Sequence, residues 1–188
     1  MKTQLYHQFP LDCFNDIKKY IIEYMDSFNT DFLYFKNIKM PDDLERKINL
    51  ELKEYGLPEA AAFVCFKRKM FFEKNVGIHI DYAEAYGAIN CALILPIEGC
   101  SDTEMYWVDG NFTTQKRIMY NSTYLGISWQ KSPTIIDSVE IDNVPYLARV
   151  NIPHSVTSRR DGSYRTIVSI RFKDNPSFDE MLKKRFGK

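Results

Sequence analysis

From residue 60 to residue 172 the chain is a succession of short β-rich runs with no helical pattern between them, which leaves few architectures open. The runs are 61–66, 76–81, 88–97, 103–107, 115–120, 124–129, 134–136, 145–150, 154–158 and 164–172. Glu98-Gly99, Asp109-Gly110-Asn111, Asp142-Asn143 and Asp161-Gly162 separate several of them with residues that favour turns. A parallel sheet would need a helix between successive strands, so the pattern predicts an antiparallel sandwich or barrel. The turn Arg160-Asp161-Gly162-Ser163 predicts a hairpin that pairs the strand before it with the strand after it.

Helical periodicity is confined to the two ends. Ile17, Tyr20, Ile21, Tyr24, Met25 and Phe28 fall on one helix face, with Asp12 as the expected N-cap. Leu44, Ile48, Leu52 and Tyr55 form a second stripe after Pro41, opened by Asp42, Asp43 and Glu45 and stopped by Gly56-Leu57-Pro58. A short helix capped by Ser177 closes the chain. At 188 residues the expectation is one domain. It would comprise helical support over residues 1–59, a β core over 60–173 and a C-terminal helix over 174–188.

Twenty-five basic and twenty-five acidic side chains cancel, which argues against a dedicated duplex-DNA binder because such a protein needs a basic face. No stretch approaches eighteen consecutive apolar residues, so no membrane partner is expected. The first residues lack the apolar core of a secretory leader, and the four cysteines form no C-x-x-C pair. Reduced thiols in a cytoplasmic protein are therefore expected, with Cys65 and Cys91 as small core residues.

The chain has three histidines, and one stands in His79-Ile80-Asp81. A strand has period two, so this imidazole and this carboxylate project from the same face. About 0.4 such His-x-acid pairs are expected by chance at this composition, so the pair alone carries little. His154 enters the next-to-last strand, and Arg165 follows on the last long one. Two imidazoles and one carboxylate make the three-ligand face of non-haem iron sites, which leaves the opposite positions open. A guanidinium on a neighbouring strand offers a planar fork for a carboxylate.

In that order and spacing, His79, Asp81, His154 and Arg165 resemble the signature of the iron(II)- and 2-oxoglutarate-dependent oxygenases. The resemblance covers roughly residues 60–173. The run 88–97 followed by 102–107 looks like the short, often phage-encoded or marine-microbial members. It implies a mainly β fold whose core is a double-stranded β-helix (jelly-roll, cupin-like), packed against the N-terminal helices. It also implies Fe(II) held by His79, Asp81 and His154, 2-oxoglutarate anchored on Arg165, and O2 as second co-substrate. The implied reaction is hydroxylation of a small molecule or peptide with release of succinate and CO2.

Several further residues bear on this reading. Asn90 is a candidate hydrogen-bond partner for 2-oxoglutarate, with a strand asparagine bonded to backbone as the equal alternative. Arg171 shares the face of Arg165 and echoes the Arg-x5-Arg of AlkB-like demethylases, but reads more simply as a charge at the sheet end. Tyr106, Trp107, Tyr120 and Trp129 read as core before substrate mouth, and Lys67-Arg68-Lys69, Lys116-Arg117, Arg159 and Arg160 as solvated charges. Two alternatives stay open: a cupin-like metal enzyme that does not use 2-oxoglutarate, and a non-catalytic binding module on the same fold.

Overall fold

The computed structural model describes residues 4–27, 34–70, 77–119 and 122–186. The N-terminal part runs β1 (Tyr6–Gln8), α1 (Phe14–Asp26), β2 (Tyr34–Ile38) and α2 (Asp42–Glu54). The strand-rich part runs β3 (Ala60–Lys69), β4 (His79–Ala83), β5 (Gly87–Ala88), β6 (Cys91–Glu98), β7 (Thr103–Asp109), β8 (Phe112–Met119) and β9 (Ser122–Trp129). It continues with β10 (Thr134–Glu140), β11 (Tyr146–Arg149), β12 (His154–Ser158) and β13 (Tyr164–Phe172), and α3 (Phe178–Phe186) follows.

Two antiparallel sheets result, with strand orders β1-β11-β6-β13-β3-β2 and β10-β7-β12-β4-β9-β8, and β5 beside β4. The protein is thus mainly β, a sandwich with three helices. Alternation along β6 and β13 explains how the layers stack. Cys91, Leu93, Leu95 and Ile97 of β6 and Val168, Ile170 and Phe172 of β13 belong to the cluster that buries the helices. Ala92, Ile94 and Ile167 belong instead to a cluster with Met105, Trp107, Tyr146, Ala148 and Val150, which joins the two sheets. The first sheet is therefore covered on both faces, and its central strands read as unbroken apolar runs.

Helices α1 and α2 bury most of the expected stripes, Ile17, Ile21 and Met25 on one and Leu44, Ile48 and Leu52 on the other, with Phe14 added and Tyr20, Tyr24 and Tyr55 only partly buried. Phe28 lies outside the described residues. Asp12 is not the cap of α1. Both oxygens of Glu51, on α2, accept the Asp12 and Cys13 backbone N–H groups at 2.8 Å. A carboxylate from a neighbouring helix thus meets the positive end of α1 and joins the helices. Ser177 does cap α3, in a reciprocal pairing with Glu180. The N-terminal part is not purely helical, because β1 and β2 form the two edges of the first sheet.

The Arg160–Ser163 turn does not make a hairpin. Both edges of β12 are occupied, by β7 and β4, and both edges of β13 by β3 and β6. The turn instead carries the chain from the second sheet to the first, held by reciprocal backbone bonds between Met70 and residues 162–163. At the other side of β13, Gly99 (φ +63) lies so close to Tyr164 that a Cβ would sit 1.9 Å from its carbonyl oxygen. Only glycine lets the β6–β7 turn approach the backbone just before Arg165. All four cysteines are free and buried, and no helix among the described residues is long and apolar enough to cross a membrane.

Candidate metal centre

Strands β4 and β12 are neighbours, and their register places His79 directly opposite His154. Asp81, two residues on, shares their face. Its backbone is tied at both ends: the N–H donates to Val150 O at 3.1 Å and the carbonyl accepts from Ile89 N at 2.9 Å. Val150 follows β11, so this bond pins the middle of β4 to the opposite sheet.

Each imidazole is oriented by a carbonyl two residues earlier. His79 Nδ1 lies 2.7 Å from Gly77 O, and His154 Nδ1 lies 2.9 Å from Ile152 O. A carbonyl only accepts, so Nδ1 carries a proton in both rings and Nε2 is the nitrogen that each ring turns toward the centre. Those Nε2 atoms face one oxygen, Asp81 Oδ1, at 3.2 Å from His79 and 3.7 Å from His154. The three ligand atoms all lie within 4.8 Å of one another. Two imidazoles and a carboxylate in this arrangement form a group able to hold a metal ion.

Arg171 completes the group, and it is not the sheet-end charge that sequence suggested. Its Nη2 lies 2.6 Å from Asp81 Oδ2, leaving Oδ1 as the oxygen turned toward the histidines. The reason is the strand period: Arg165, Ile167, Ser169 and Arg171 all point between the sheets, so Arg171 reaches β4 rather than solvent. Burial acts to raise the Asp81 carboxyl, and the Arg171 guanidinium with the two histidines outweighs it, holding the group well below the usual carboxylate range. His154 is pushed down to about 4 by burial and by its neighbour His79, so it is neutral at neutral pH. Exposure falls from His79 (28%) through Asp81 (14%) to His154 (6%), so the group is approached from the His79 side.

Arg165 opens onto the same cavity, of about 600 Å³ including its mouth. The lining is mostly apolar, with Val64, Phe66, Ile94, Met105, Val150, Val156 and Ile167 around the charged groups. Arg165 is 2% exposed and its Nε is buried without a partner. Tyr146 also faces the cavity, its phenol pushed up to about 12 by burial while the nearby Arg165 pulls the other way.

Sequence reasoning missed Arg68, which lines the cavity too and is not a solvated charge. Its signal was the alternation Val64, Phe66, Arg68, masked by a lysine on either side. Burial and the nearby Arg165 lower Arg68 to about 10, which still leaves it charged at neutral pH.

Asn90 is a correction. It does not line the cavity. Its side-chain amide donates to Asn175 O at 2.7 Å and its side-chain oxygen accepts from Asn151 at 3.1 Å. It ties the turn after β13 to the start of β6 and offers no contact to a cavity ligand. Tyr106 and Trp107 are core, both fully buried, and Trp129 packs with Ile78, Tyr106 and Val108. Tyr120 lies outside the described residues. Arg159 and Arg160 are exposed and paired, with Glu140 and Asp102 respectively.

No protein-family model matches the chain, and no curated protein matches it. Among solved structures it is similar to AviO1 from Streptomyces viridochromogenes Tue57, at 11% sequence identity and a TM-score of 0.45, with 93% of each chain covered.

Proposed function

We propose that this chain is a non-haem Fe(II)- and 2-oxoglutarate-dependent dioxygenase on a double-stranded β-helix core, which hydroxylates a small molecule or peptide. One observation carries the reading. The His79–Asp81–His154 group and the carboxylate-free guanidinium of Arg165 open onto one largely apolar cavity. The donor set fits iron(II), because imidazole nitrogen and a single carboxylate oxygen suit it, and no further His, Cys, Asp or Glu among the described residues joins the group.

His79, Asp81 and His154 would hold the metal. Bound there, the metal would supply the chemistry by which O2 oxidises 2-oxoglutarate to succinate and CO2, one oxygen atom entering succinate and the other the hydroxyl of the product. The chain does the rest. The carbonyls of Gly77 and Ile152 fix which imidazole nitrogen faces the metal. Arg171 holds the outer oxygen of Asp81, so the carboxylate presents one oxygen rather than two. Arg165 binds the remote carboxylate of 2-oxoglutarate, and the apolar walls exclude water, which strengthens that ion pair.

The test is an anaerobic titration of Fe(II)-loaded protein with 2-oxoglutarate, following the visible metal-to-ligand charge-transfer band of a chelated complex. The band should form in the wild type, be absent in His154→Ala and demand far more 2-oxoglutarate in Arg165→Ala. Tight metal binding with no band would replace this reading by a metal enzyme that does not use 2-oxoglutarate, and failure to bind metal would end it.

A further inference from the structure

Among the described residues, the end of the cavity away from Asp81 is lined by two guanidiniums and no acid. Arg165 on β13 and Arg68 on β3 are register partners, so both side chains leave the sheet on the same side at the same rung. Like charges directly opposite each other on neighbouring strands repel, and here the cost rises because both point into a poorly hydrated space. No ion pair among the described residues relieves either of them. The Nε of each is buried without a partner.

Arg68 is also held in a defined place. Its Nη2 donates to Val156 O on β12 at 2.9 Å. Its Nη1 lies 3.7 Å from where a side chain on Gly77 would begin. Val156 is two residues past His154 on β12, and Gly77 is two residues before His79, where β4 begins, so the Arg68 guanidinium sits one strand repeat, about 7 Å, from the histidine rung. A chain of five carbons is about 5 Å from first to last carbon. With one end at the histidine group, such a chain brings its other end to this pair of cations.

We propose that Arg68 and Arg165 act together as a clamp for one carboxylate, and that this clamp restricts the cavity to dicarboxylate 2-oxo acids over monocarboxylate ones. Arg68 is thus a specificity-determining residue, and this assignment rests on the oxygenase reading for the identity of the ligand. The bound carboxylate places an anion between two cations that the fold otherwise leaves facing each other, so binding relieves a repulsion as well as forming hydrogen bonds.

The experiment is calorimetric binding to Zn(II)-loaded protein of 2-oxoglutarate and of 2-oxopentanoate, which has the same chain without the second carboxylate. Alongside it runs a thermal melt of metal-free protein with glutarate. Arg68→Met should weaken 2-oxoglutarate at least 10-fold, leave 2-oxopentanoate within about twofold, and abolish the rise in melting temperature given by glutarate. Arg68→Lys keeps the charge without the fork and should fall between, and it gives the answer should the methionine variant fail to fold. An Arg68→Met change that moves both acids equally, or neither, overturns the clamp.

The two proposals fail separately. A charge-transfer band with unchanged 2-oxoglutarate affinity in Arg68→Met sinks the clamp and leaves the oxygenase. Glutarate binding that needs Arg68, with no band in the wild type, sinks the oxygenase and leaves the clamp.

Discussion

The two ends of the cavity treat the same chemical group in opposite ways. At one end Arg171 meets Asp81 at 2.6 Å, and charge is cancelled within the chain. At the other, Arg165 and Arg68 face each other across a register pair, and no carboxylate among the described residues lies against them. Arg165 and Arg171 lie on the same face of the same strand, six residues apart. The difference between the ends is therefore not one of secondary structure. The paired end orients a ligand set, whereas the other end carries two guanidiniums that no carboxylate among the described residues neutralises.

The comparison breaks most visibly at Arg171. Replacing it by Met leaves the Asp81 carboxylate buried without its cation, so the metal-free protein should lose about 3–5 kcal/mol in denaturant unfolding. The same change frees the second oxygen of Asp81 and should weaken metal binding by about 10–100-fold, as loss of a group that orients a ligand does. A loss of less than 1 kcal/mol would mean that the pair at this end is not what keeps Asp81 ionised.

His154 gives the next effect through pH. Its folded value, about 4, lies below the ordinary 6.5. Between these values the unfolded chain takes up a proton that the folded chain refuses, so stability is full above pH 6.5 and falls as pH drops toward 4. The shift corresponds to about 3 kcal/mol at most. Asp81, held below its ordinary range, adds its own loss only at lower pH, beneath about 3.9. Unfolding of metal-free wild type and His154→Gln from pH 7 to pH 4.5 checks this. The wild-type slope should be the steeper, and equal slopes would assign the acid sensitivity elsewhere.

Much of the site was legible because strand period is a local property. It set His79 with Asp81 and Arg165 with Arg171 on shared faces, and it would have set Arg68 with Phe66 had the flanking lysines not read as a solvated patch. What pairs with what was not legible. His154 meets His79 across 75 positions, and Arg171 meets Asp81 across 90, because strand register is a tertiary choice. The turn at Asp161-Gly162 shows the same limit: glycine and aspartate declare a reversal of direction but not which sheet receives the chain. Asn90 failed for another reason, since it lies between β5 and β6, where no strand period fixes its face.

The smallest expected effect has the opposite sign and sharpens the comparison further. Arg165→Met removes a cation that is 2% exposed and has no carboxylate against it, and it supplies an apolar side chain to a cavity walled by Val156, Ile167 and Tyr146. Replacement of buried charge by a hydrophobic side chain of similar reach is often neutral or stabilising, so the metal-free protein should gain about 1–2 kcal/mol in denaturant unfolding. The repulsion on Arg68 disappears with it. A protein that becomes more stable as it loses its grip on a dicarboxylate is what a site held in readiness for an anion requires, and Arg171→Met should never behave this way. Were Arg165→Met instead to cost stability on the scale of Arg171→Met, its neighbours Tyr146 and Cys100 would already be satisfying the guanidinium, and the two ends of the cavity would be alike.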